Sequence, residues 1–121
     1  MTLVDTSVWI QHFRTREVEL AALLEQSRVL IHPFVVGELA CGTFRRRQEV
    51  LSLLARLDHV PKASDAEALE LVETRQLMGR GLGWVDVHLI ASCLISSARL
   101  WTLDRRLKRE ADRLGISRTG A

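Results

Sequence analysis

The sequence predicts an α/β fold: a short parallel sheet of four or five strands with helices on both faces. Three observations predict it. The strand candidates, Leu3-Val4, Val29-Leu30-Ile31 and Leu100-Trp101-Thr102-Leu103, are short and apolar along their length, whereas half-exposed antiparallel strands alternate. Helical patterns separate each from the next, which is how parallel strands must be joined. No repeat, linker or low-complexity tract divides the 121 residues, so the chain reads as one domain, residues 1–121.

In chain order, Leu3-Val4 ends at Asp5-Thr6-Ser7 and gives way to Val8, Trp9, Ile10 and Phe13, a buried strand turning directly into a helix. Residues 17–27 read as a second helix, followed by the strand at 29–31. Pro33 suits the first turn of a helix through Val36, Leu39 and Ala40, with Gly42 as its stop. Helices follow at about 46–57 and 65–78, separated by Asp58-His59-Val60-Pro61. Gly79, Gly81 and Gly83 break the pattern and read as a flexible link; they lack the spacing and the Lys-Ser/Thr ending of a phosphate loop. A helix resumes near Val85 and runs to about Ser97, and a basic helix from Arg105 to about Leu114 follows the last strand. After Gly115 few residues remain, so a fifth, edge strand is expected to be very brief.

The composition narrows the class. A hydrophobic fraction of 47% supports a real core and excludes intrinsic disorder. The net charge of +2 permits a polyanionic partner without demanding one, and 15 of the 17 basic residues are Arg, the better phosphate fork. No apolar stretch is long enough to span a bilayer, and no signal-peptide pattern opens the sequence. Cys41 and Cys93 lie far apart in apolar, helix-like stretches and read as reduced core thiols of a cytoplasmic protein.

The chemistry is in the acids. Ligand-binding groups of open α/β sheets collect at the carboxyl ends of strands. Asp5 and Asp104 each stand there, last before a helix; either alone reads as a helix cap, but two at equivalent points are harder to dismiss. Asp86 shares the apolar face of its helix with Leu89, Ile90, Cys93 and Ser97, and Glu38 sits among Val35, Leu39 and Gly42. Neither has a basic residue three or four positions away, so local ion pairs do not explain them. Four carboxylates in one pocket repel unless a cation sits among them. Oxygen-only ligands favour Mg²⁺, with Mn²⁺ a possible substitute, over zinc. Such an ion serves hydrolysis of a phosphodiester by activated water.

Leu3-Val4-Asp5-Thr6-Ser7-Val8-Trp9, Glu38-Leu39-Ala40-Cys41-Gly42, Asp86-Val87-His88-Leu89-Ile90-Ala91 and Thr102-Leu103-Asp104 resemble the four signature blocks of PIN domains. Order, spacing and length are most similar to VapC-type toxins of bacterial toxin–antitoxin pairs, and the resemblance covers nearly the whole chain. It implies a three-layer α/β/α fold and metal-dependent endonucleolytic cleavage of RNA (a tRNA, rRNA or mRNA). It also implies a homodimer and a VapB-type antitoxin that occludes the acidic pocket. Carried over residue by residue, Asp5 and Asp86 are the firmest Mg²⁺ ligands, with Glu38 and Asp104 completing the site directly or through water. Ser7 and Thr102 match hydroxylic positions that orient those carboxylates.

Other features receive plainer readings. Arg45, Arg46, Arg105 and Arg106 are the candidates for RNA phosphates, against the alternative of a solvated helix face. Glu67, Glu70 and Glu73 read as a solvent-facing stripe, and His88 points off the side of its helix that carries Asp86. Trp9 and Trp101 read as core; Trp84, beside the glycines, packs or touches a base. A phosphoaspartyl hydrolase lacks support, because Ser7 stands two after Asp5 and neither Lys62 nor Lys108 is at a strand end. A housekeeping RNA-processing nuclease and a catalytically idle RNA- or protein-binding module are the remaining alternatives.

Overall fold

Leu3 sits opposite Leu30 on one side and Leu100 on the other, and that register sets the centre of the molecule. Strand β1 (Thr2–Val4) lies between β2 (Val29–Ile31) and β4 (Arg99–Trp101), and β3 (Asp58–His59) pairs with the outer side of β2. The order is β3-β2-β1-β4, all parallel. The computed structural model describes residues 1–118; positions 119–121, within the predicted domain and the expected edge strand, lie outside the described residues. A single parallel bridge between Leu100 and Ser117 is the described trace of that fifth strand.

Seven helices are described: α1 (Thr6–Arg14), α2 (Val18–Glu25), α3 (Pro33–Ala40), α4 (Arg47–Leu54), α5 (Asp65–Thr74), α6 (Trp84–Ser96) and α7 (Arg105–Arg113). Packing of α3 with α1 and α4, and of α5 with α6, makes the outer layers of the three-layer α/β/α arrangement. Three-residue strands are short for a sheet, and burial on both faces holds them. Leu3, Val4, Ile31 and Leu100 are essentially inaccessible, covered by Val8, Leu20, Val35, Leu89, Ile90 and Leu107, each contributing on the order of 1.5–3 kcal/mol.

Several boundaries differ from those expected. Helices α2 and α5 end two to four residues early because Ser27 and Gln76 adopt left-handed backbone and turn the chain. Strand β3 falls within the stretch read as a separator; both its residues are exposed, so nothing apolar marked it. Cys41 is exposed just beyond α3, which corrects its reading as a core thiol. Cys93 is buried as expected, and burial pushes its thiol up to about 12. The glycine segment is anchored: Arg80 bonds Gln76 O (2.7 Å) and faces the buried Glu110 of α7 (3.6 Å).

Candidate active site

Parallel strands deliver their carboxyl ends to one edge, and three of these ends lead into helices through one to three residues. Asp5 joins β1 to α1, His32 joins β2 to α3, and Asp104 joins β4 to α7. Glu38 comes from α3, and Asp86 from the first turn of α6.

Asp5 is 7% exposed and does not cap its helix. Its Oδ2 accepts from Ser7 Oγ (2.7 Å) and Thr102 Oγ1 (2.8 Å), while Oδ1 takes no hydrogen bond from the described residues. The buried Thr102 hydroxyl also accepts from Asp104 N (3.0 Å), and Ser7 Oγ accepts from Leu103 N (3.0 Å). Asp104 does cap its helix: Oδ1 accepts from Arg106 N (2.9 Å) and Leu107 N (3.2 Å), which leaves Oδ2 to the site.

Asp86 is half-buried, and Gly83 N donates to its Oδ2 (2.9 Å). Its carboxyl is raised above the usual range, by burial first and then by the charges of Asp5, Asp104 and Glu38, against the Gly83 hydrogen bond. The other three predicted acids therefore act on Asp86. Glu38 is exposed, although its helix position suggested partial burial, and its Oε1 accepts from Thr6 Oγ1 (2.6 Å). Thr6 was missed by sequence reasoning; a hydroxyl beside Asp5 was the available signal. None of the four acids forms an ion pair among the described residues.

The arginines separate. Arg106 lies across Gly81, its Cδ 2.7 Å from where a Cβ would stand, a path that the glycine at φ +79° leaves open. Arg105 is exposed beside it. Arg45 lines a cavity of about 380 Å³ with Glu38, Arg14 and Phe44, whereas Arg46 pairs with Glu49 (2.8 Å) in solvent. Arg47 bonds the carbonyls of Ala40 and Gly42 and so finishes α3.

His88 is fully buried and its Nε2 meets Asp65 Oδ1 (3.2 Å), away from the acids. The glutamates of α5 are exposed, and Glu67 completes a capping box with Ser64.

The PIN-domain family matches residues 2–112 of this sequence. The chain belongs to the PIN-domain family. Ribonuclease VapC32 of Mycobacterium tuberculosis, in strains CDC 1551 / Oshkosh and ATCC 25618 / H37Rv, is 47% identical over 118 residues, covering 97% of this chain and 95% of the relative. That similarity places this PIN domain with the VapC type. The crystal structure of PAE2754 from Pyrobaculum aerophilum superposes with a TM-score of 0.64 at 16% identity, over 90% of this chain and 83% of that one. At that identity the likeness concerns the fold alone.

Among the described residues no three His, Cys, Asp or Glu side chains stand close enough to hold one ion by themselves. The donor set nevertheless fits a hard divalent cation: every acid offers oxygen, none has a basic partner, and the others' charges raise the Asp86 carboxyl. Mg²⁺ commonly takes one or two carboxylates and keeps several waters, so two direct ligands suffice.

Proposed function

We propose that this PIN domain is a Mg²⁺-dependent endoribonuclease, the toxin of a type II toxin–antitoxin pair, acting on a tRNA, rRNA or mRNA in the cytoplasm. The observation that carries the reading is the Asp86 carboxyl, raised in part by the charges of Asp5, Asp104 and Glu38, with no ion pair to any of the four among the described residues. The VapC-type similarity supports the RNA substrate and a VapB-type antitoxin. A homodimer is part of the same proposal.

Asp5 and Asp86 would hold the ion, Mg²⁺ or in its place Mn²⁺, with Glu38 and Asp104 reaching it directly or through water. Bound there, the ion supplies charge neutralisation and activated water for phosphodiester hydrolysis. The chain's own part is positional. Ser7 and Thr102 turn one oxygen of Asp5 inward to themselves and leave the other to the site; the Gly83 amide does the same for Asp86, and Thr6 for Glu38. Arg105, Arg106 and Arg45 draw phosphates toward the acids, and Arg46 adds to the field from the surface.

The test is cleavage of total RNA by the purified, partner-free chain with Mg²⁺, with EDTA, and with Asp5→Asn in parallel. Discrete cuts that disappear in both controls are expected. A folded protein that cuts nothing across Mg²⁺, Mn²⁺ and a broad RNA pool would overturn the reading.

A further inference from the structure

We infer that Trp84, braced by a stack of rings that ends at Lys62, is a stacking site for an unpaired base of the RNA strand that is cut. The inference rests on the nuclease reading above and adds the residues that position the strand.

Three tryptophans occupy the chain, and two are spent on the core: Trp9 is 3% and Trp101 7% exposed. Trp84 is 41% exposed, on the same first turn of α6 that carries Asp86. An indole left in water beside an acidic site is a standing invitation to a flat, apolar ligand surface.

The indole is also held. It meets the His88 ring edge-to-face (centroids 4.8 Å, planes at 86°), and His88 meets Phe34 the same way (4.9 Å, 72°). His88 is fully buried, and its Nε2 meets Asp65 Oδ1 on α5 (3.2 Å), which restrains the ring behind the indole. The platform loses little side-chain freedom when a base lands on it.

Lys62 stands over the far end of this stack, its Nζ 5.1 Å from the centre of the Phe34 ring, and it makes no ion pair among the described residues. An open aromatic face with a cation two rings away suits a short single strand: one base on the indole, and a phosphate further along on the ammonium. Aromatic stacking tolerates any base and favours single strands, because paired bases offer no free face. Trp84 and Asp86 lie roughly 200° apart around α6, at 100° per residue. The stacked base therefore belongs to a different nucleotide from the one that is cut, and the strand passes the first turn of the helix between the two.

Binding of a labelled single-stranded RNA oligonucleotide in EDTA separates recognition from chemistry; cleavage with Mg²⁺ is followed alongside. RNA is expected to quench tryptophan emission in the wild type and not in Trp84→Phe, which keeps a ring and a folded chain. Trp84→Ala should weaken binding about ten- to a hundredfold, and Trp84→Phe severalfold. Lys62→Gln should reduce the slope of log affinity against log salt by about 0.7. Wild-type cleavage together with unchanged RNA affinity in Trp84→Ala would overturn the inference and leave the nuclease standing. Unchanged RNA affinity with lost binding of a second copy or of a protein inhibitor would overturn it too, assigning the face to a protein. A wild type that neither binds nor cuts RNA would overturn both readings.

Discussion

The β1–α1 and β4–α7 corners look alike in the sequence and are built differently. Both place an aspartate after a strand, with extended backbone, immediately before a helix. Asp104 spends one oxygen on the amides of its own helix. Asp5 leaves its helix uncapped and gives that oxygen to two hydroxyls, Ser7 and Thr102. The difference comes from the residue two positions on: Ser7 supplies a competing donor, Arg106 does not. A third corner, β2–α3, dispenses with an acid, and His32 caps it through Nδ1, which accepts from Phe34 N (2.9 Å). The same turn thus yields an acid used wholly for the site, an acid shared with a cap, and a cap alone.

Substitutions can pull these roles apart. The largest effect is expected for Asp5→Asn: RNA cleavage should fall by more than the roughly 10- to 100-fold that loss of an outer partner costs, with the melting temperature unchanged or raised, since no cap is lost and a repelling charge goes. Thr102→Val removes the hydroxyl that serves both corners at once. Cleavage should drop about 10- to 100-fold, and stability by on the order of 1–3 kcal/mol, read from denaturant titration, because Asp104 N loses its acceptor.

The His32 corner should be the acid-sensitive one. Burial, then the neighbouring His88 and Lys62, lower its pKa from 6.5 to about 4. The unfolded chain therefore binds more protons between those values, and stability is lost as pH falls from 6.5 through about 4. The steepest part has a slope of about 1.4 kcal/mol per pH unit. His32→Asn, which keeps a capping acceptor, should flatten that slope in urea titrations at stepped pH; an unaltered slope would mean that another group titrates. The smallest effect separates the two halves of Asp104. Asp104→Ala should cost about 1 kcal/mol together with cleavage, whereas Asp104→Asn keeps the cap and the stability and loses cleavage alone.

The sequence carried the sheet centre and singled out the four acids because both are local signals: apolar triplets, and a charge at a strand end or where a helix face should be apolar. It could not show which aspartate caps, since that depends on Thr102, 97 residues from Asp5. The Thr6–Glu38 bond spans 32 residues and was hidden for the same reason. Strand β3 was invisible because its pairing with β2 is made by backbone, with Asp58 and His59 facing solvent. The Cys41 reading failed on a boundary: apolar neighbours suggested burial, but α3 ends at Ala40 and the thiol falls just outside. Trp84 was left between packing and contact, because exposure is a property of the fold and not of the residue's neighbours in sequence.

The Thr102 hydroxyl has a further meaning for how the molecule comes into being. The strand that opens the chain is central in the sheet, and one of its two flanking strands is β4, made almost a hundred residues later. A ribosome releases the chain from its amino end, so for most of synthesis Asp5 has neither Thr102 to orient it nor Asp104 beside it. The acidic centre is assembled only when β4 slides in alongside β1. On the proposed reading, cleavage is expected only once that pairing is made, because Asp5 lacks the Thr102 hydroxyl before it.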